Sequence, residues 1–182
     1  MYARALGDHL QCAKNLVLAR SLIEAQKTIL SHIAPQAVIS TRLSDLEDLL
    51  STFVSPFPPG WDIGGQIYLD YISLIQDHAG IIERKRKGSG SRRDAVIRLL
   101  RALPAMEART FEQRVAVSEM ARVVANIVVS TPEMVSSFFS EMELIWQNRE
   151  IGSVMRLPLL EGDALRITRK LAGGMFDQLI AA

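Results

Sequence analysis

The sequence predicts an all-α fold: a single helical domain of about six to eight helices packed around a central apolar helix at 111–129. Three observations lead there. First, on a helical wheel Ala116, Val117, Met120, Ala121, Val123, Val124, Ile127 and Val128 share one broad face, with Ser118, Arg122 and Asn126 opposite. A face that wide needs neighbours on several sides, which makes this stretch the centre of the fold. Second, no stretch alternates apolar and polar residues with turn signals around it, so no sheet is expected. Third, prolines and glycines divide the chain into helix-length pieces. With 182 residues the chain is long enough to bury a real core.

Taken in order, residues 2–34 read as helix, in one or two pieces, with Asp8 as a cap and His9 opening the longer part. Leu16, Ala19, Ile23, Leu30 and Ile33 line one side, and Leu18, Leu22, Ala25 and Ile29 a second. A two-faced helix is buried or lies between layers. Pro35 is expected to end it, because proline has no N–H to give and biases the preceding residue away from helix. A second helix over 36–54 carries Ile39, Leu43, Leu46, Leu50 and Phe53 on its stripe and leaves Asp45, Glu47 and Asp48 to solvent. The loop Ser55-Pro56-Phe57-Pro58-Pro59-Gly60-Trp61 follows, with Phe57 and Trp61 expected to pack it onto the body rather than serve as a docking surface.

A third helix runs from Ile63 or Gly65 to about Glu83, its apolar side formed by Ile67, Tyr71, Leu74, Ile75 and Ile82. Residues 84–93 read as a basic, flexible Gly/Ser loop. Ser91 is the expected cap of the next helix, which buries Val96, Ile97, Leu100 and Leu103, shows Asp94, Arg98 and Arg101 on its other side, and stops at Pro104. Thr110 and Gln113 form a capping-box pair ahead of the central helix. Ser130-Thr131-Pro132-Glu133 starts a further helix to Arg149, in which Trp146 is expected to pack in line with Phe139 and Met142. After a loop over 152–162, Asp163 caps a last helix that Gly173 and Gly174 weaken by roughly 1 kcal/mol each.

Composition narrows the function classes. Hydrophobic residues make up 48% of the chain, and the mean hydropathy is +0.14. That apolar surplus predicts a homo-oligomer or a protein partner. No apolar run is long enough to span a membrane, and residues 1–20 lack the basic–apolar–small order of a signal peptide. A lone cysteine, Cys12, excludes an internal disulfide framework and predicts an intracellular protein, cytoplasmic or, in a eukaryote or virus, nuclear.

Catalytic groups are scarce. His9, His32 and His78 match no metal spacing; His9 and Cys12 share a helix face but find no third ligand, so no metal and no cofactor are expected. Asp70 and Asp77 lie on one side of a helix and read as solvated. A nucleophile elbow, a dinucleotide fingerprint and a P-loop are all missing. The stretch 120–139 has the spacing of a helix-turn-helix, but its second helix would face DNA with Glu133, Glu141 and Glu143, which phosphate repels.

The charge is unevenly spread. Net charge is +1, yet Arg84, Lys85, Arg86, Lys87, Arg92 and Arg93 hold six of the 21 basic residues, so the remainder, with 20 acidic residues, is net acidic. With Arg98 and Arg101 these form one candidate nucleic-acid or polyanion site, and Gly88-Ser89-Gly90-Ser91 before a helix start is a weak anion cradle. Aromatic rings for base stacking are missing from the loop 84–93 itself; those nearest to it, Tyr68 and Tyr71, lie on the preceding helix. The sequence therefore supports a non-catalytic helical interaction or assembly protein. The alternative is an accessory protein binding RNA, more than DNA, through 84–101 with little sequence selectivity.

Overall fold

A computed structural model describes residues 8–78, 89–130 and 157–181. The fold is all-α, with seven helices and no strand among the described residues. Helix α1 is His9–Leu18. Helix α2 runs without a break through three segments, Leu22–Thr28, the π-helical Ile29–Ile33, and Ala34–Ile39. Then follow α3 (Leu43–Leu50), α4 (Gly65–His78), α5 (Ser89–Ala102), α6 (Phe111–Ser130) and α7 (Glu161–Ala181).

The chain divides into two compact units, residues 1–73 with 107–117, and residues 74–106 with 118–182. In the first, Asp8 caps α1 as expected, its Oδ1 accepting from the Gln11 N–H at 2.9 Å. The turn into α2 is a Schellman motif: the Ser21 N–H reaches the Leu16 carbonyl and the Arg20 N–H that of Val17, both at 2.9 Å. Arg20 takes the left-handed conformation this motif requires, φ 57°. Helix α1 folds back along the first two segments of α2, and His9 stacks on His32 with ring centroids 4.0 Å apart.

Pro35 does not end this helix. The turn before it widens, so that the Ala34 N–H donates to the Ile29 carbonyl five residues back. A wider turn relieves the collision between a proline ring and the carbonyl four residues before it. Ala34 stays helical at φ −61° and ψ −44°, and the real stop comes at a second Schellman turn. There Thr41 is left-handed, φ 57°, and the Arg42 N–H reaches the Ala37 carbonyl at 3.0 Å. The helix expected over 36–54 is therefore the end of α2 plus the short α3. Leu46, Leu49, Leu50 and Phe53 bury its apolar side, while Asp45 and Asp48 are exposed.

Loop 51–64 closes over this core through Trp61, which is 4% exposed. Phe53 lies 4.9 Å from it and Phe57 stacks on it at 5.1 Å. Packing is thus one role of the loop, although Phe57 remains half exposed. Helix α4 begins at Gly65, against the indole of Trp61, and buries Ile67, Tyr68, Tyr71 and Ile72. Asp70 is buried too, contrary to its expected solvation; it accepts from Gln66 Nε2 at 3.1 Å. The capping box at the head of α6 forms as read: the Gln113 N–H donates to Thr110 Oγ1 at 3.2 Å, and the Thr110 N–H to Gln113 Oε1 at 3.1 Å.

In the second unit, α5 starts at Ser89, two residues before the expected cap, so Gly90, Ser91, Arg92 and Arg93 are helical rather than loop. Val96, Leu99, Leu100 and Leu103 are its buried side. Helix α6 buries Met120, Ala121, Val124, Ala125, Ile127 and Val128 there, and even Ser118, Arg122 and Asn126 are half-buried, as a central helix requires. Ile167 of α7 is buried, and the first turn of that helix holds Asp163 inside the helix rather than at its cap. The helix expected over 132–149, with Trp146, and the helix-turn-helix reading lie outside the described residues.

Candidate interaction surfaces

Of the residues singled out for chemistry, His9 and His32 come together as a ring stack. Cys12 is buried on α1, and His9 is taken up by its stack on His32. No group of three or more His, Cys, Asp or Glu able to hold a metal occurs among the described residues. Tyr68 is enclosed, and burial pushes its phenol up to about 12. No helix among the described residues is long and apolar enough to cross a membrane.

The basic cluster is placed in part. Arg84, Lys85, Arg86 and Lys87 lie outside the described residues. Arg92 and Arg93 sit in the first turns of α5. Arg98 and Arg101, one helical turn apart, are both exposed further along it. Tyr68 and Tyr71, on the preceding helix, are 2% and 3% exposed and so offer no face to a base.

The first unit carries a surface that sequence reasoning missed. Leu10, Lys14, Val17 and Leu18 form one stripe along α1, and Asp45, Asp48, Leu49 and Thr52 one stripe along and just past α3. The two stripes line an open groove of about 480 Å³. Helix α1 packs on the first two segments of α2, and α3 on its last segment. The two outer helices are thereby held apart, and the groove is the space between them. Leu18 on its wall is 82% exposed. Of its α1 wall, the sequence reading places only Leu18 on an apolar face, and the facing helix was hidden by the misplaced stop at Pro35.

These features define a helical protein with apolar surface left uncovered and no assembled catalytic centre among the described residues. The chain is 40% identical over 78 residues, 42% of its length, to the nucleoporin nup189 of Schizosaccharomyces pombe. It is 38% identical over 77 residues to the nuclear pore complex protein Nup98-Nup96 of Drosophila melanogaster. The chain spans 4% of the length of either relative. No family model matches.

Proposed function

We propose that this chain is a non-catalytic helical assembly module of the nuclear pore complex, working by binding protein partners. The observation that carries the reading is the shared sequence with nucleoporins from a yeast and a fly, at 40% and 38% identity. The fold supports it. An all-helical body keeps large apolar side chains such as Leu18, Ile63 and Phe111 mostly exposed, and exposed apolar side chains are surface that a partner can cover. Self-association is part of the proposal, because the same surfaces can be covered by a second copy. The test is fluorescent tagging of the protein in its own cells, with affinity purification from nuclear envelopes. A nuclear rim signal and co-purified pore proteins are expected; a diffuse signal with no pore protein recovered overturns the reading.

A second reading, polyanion binding through Arg84, Lys85, Arg86, Lys87, Arg92, Arg93, Arg98 and Arg101, is supported by the exposure of Arg98 and Arg101 on the helix that follows the cluster. With Tyr68 and Tyr71 buried, such binding would be mostly phosphate-driven.

A further inference from the structure

We propose that the groove between α1 and α3 is the docking site of a basic amphipathic helix from a protein partner. This rests on the reading of the chain as an interaction module and adds the chemistry of what it binds. The floor and one wall are apolar: Leu10, Val17 and Leu18 from α1 meet Leu49 from α3 across a volume of about 480 Å³. That volume is in the range of preformed binding sites. Helix α1 has 10 residues and is about 15 Å long, enough to seat two to three turns of a partner helix. A partner helix laying apolar anchors at i, i+3 or i+4, and i+7 into such a trough is a recurrent recognition mode.

Charge selects which helix. The α3 rim carries Asp45 and Asp48, both exposed, with no ion pair or hydrogen bond among the described residues. Helix α3 contains Asp45, Glu47 and Asp48 and no basic residue. The α1 rim has Lys14 alone. A partner therefore needs Lys or Arg on the flank that faces α3, and an uncharged or acidic flank toward Lys14. An acidic helix or a nucleic-acid backbone would be repelled at the α3 rim.

The probes are three fluorescein-labelled helical peptides of about 14 residues with one leucine stripe and either lysine, glutamine or glutamate on one flank. They are titrated by anisotropy into the whole chain. Lysine-flanked peptide is expected to bind at least about tenfold tighter than its glutamate twin at low salt, with the difference shrinking as salt rises. Asp45→Lys with Asp48→Lys should reverse that order. Leu18→Asp should abolish binding without altering the circular dichroism melt, since Leu18 is 82% exposed and supports little of the fold. Equal binding of the peptides, no binding of any, or full binding to Leu18→Asp overturns the proposal. So does a fall in molar mass by light scattering when Leu18→Asp is made in the unliganded protein, because the occupant is then a second copy. A protein that joins pore complexes but does not sort the peptides loses the groove and keeps the function. One that sorts the peptides but stays off the nuclear rim does the reverse.

Discussion

A Cβ atom added to Gly65 would lie 2.5 Å from the Trp61 ring, closer than carbon atoms can approach. The first turn of α4 is therefore built directly on an indole face. Trp61 cannot yield, because Phe53 and Phe57 hold it at 4.9 and 5.1 Å and it is 4% exposed. Gly65→Ala is expected to destabilise the fold by about 1–3 kcal/mol, the usual cost of overpacking. Denaturant unfolding measures it. Trp61→Leu should remove most of the penalty, so the two changes should be strongly non-additive. An additive pair would mean that the contact is not where the strain lies.

The opposite case is Gly173. It lies within α7, is exposed, and would present a Cβ with nothing within 4 Å. Among the described residues, nothing lies close enough to Gly173 to require a glycine there. Gly173→Ala should stabilise the protein by about 0.5–1 kcal/mol, since alanine costs less backbone entropy in a helix. A melting temperature that falls instead would show that α7 needs the glycine's freedom.

Thr41 sits in the left-handed region at φ 57°, at the position of the Schellman turn that usually takes glycine. A β-branched residue there costs about 1–3 kcal/mol. Thr41→Gly recovers part of that against its own unfolded-state entropy, for an expected gain of about 0.5–1 kcal/mol. Thr41→Ala keeps the Cβ and should not gain as much. Thermal melts of the two variants side by side check this.

The same turn explains what could be read from the sequence and what could not. The caps were legible because Asp8, Thr110 and Gln113 act within four residues of themselves, and local chemistry decides them. The apolar faces of α5 and α6 were legible because periodicity reports burial directly. The joint at Pro35 was not. A proline reads as a stop, and only the π turn over Ile29–Ile33 lets the helix pass it, while a left-handed Thr41 with no glycine to announce it makes the break. Moving the break by six residues separates α3 from α2 and creates the facing wall of the groove. Asp70 was misread for a similar reason. Helix spacing places a carboxylate on a side, but whether that side is covered depends on residues far away in the chain.

Glu119 gives a pH prediction. Its carboxylate accepts hydrogen bonds from Arg122, one of them from Nε at 2.9 Å. Those bonds hold its pKa below the ordinary 4.5; partial burial pushes the other way, and the charge of Arg122 adds to the lowering. A depressed folded-state pKa means that the pair's stabilisation is fully present above about pH 4.5 and is lost as the pH falls through the lower folded value. Both side chains are about one-third exposed, so solvent screening limits the effect to a few tenths of a kcal/mol. Unfolding followed from pH 6 down to pH 3 should show wild type converging on Glu119→Gln. A gap between them that widens toward low pH contradicts the assignment.

The last prediction concerns the basic cluster. Arg98 and Arg101 are exposed on α5; Tyr68 and Tyr71, on the helix before the cluster, are buried, while Phe111 beyond it is exposed. If the cluster takes nucleic acid, binding should be mostly phosphate-driven, so affinity should fall steeply with salt and vary little with base sequence. For single-stranded RNA each phosphate neutralised contributes roughly 0.7 to the slope of log affinity against log salt. Replacing Arg98 and Arg101 with alanine should flatten that slope by up to about 1.4, and replacing Arg84, Lys85, Arg86 and Lys87 should flatten it further. Labelled RNA titrated across a salt series, with purine-rich and pyrimidine-rich oligomers compared, reads slope and selectivity together. Equal slopes for wild type and both variants would place any nucleic-acid contact elsewhere. A strong preference for one oligomer would mean that bases are being read, against a mostly phosphate-driven contact.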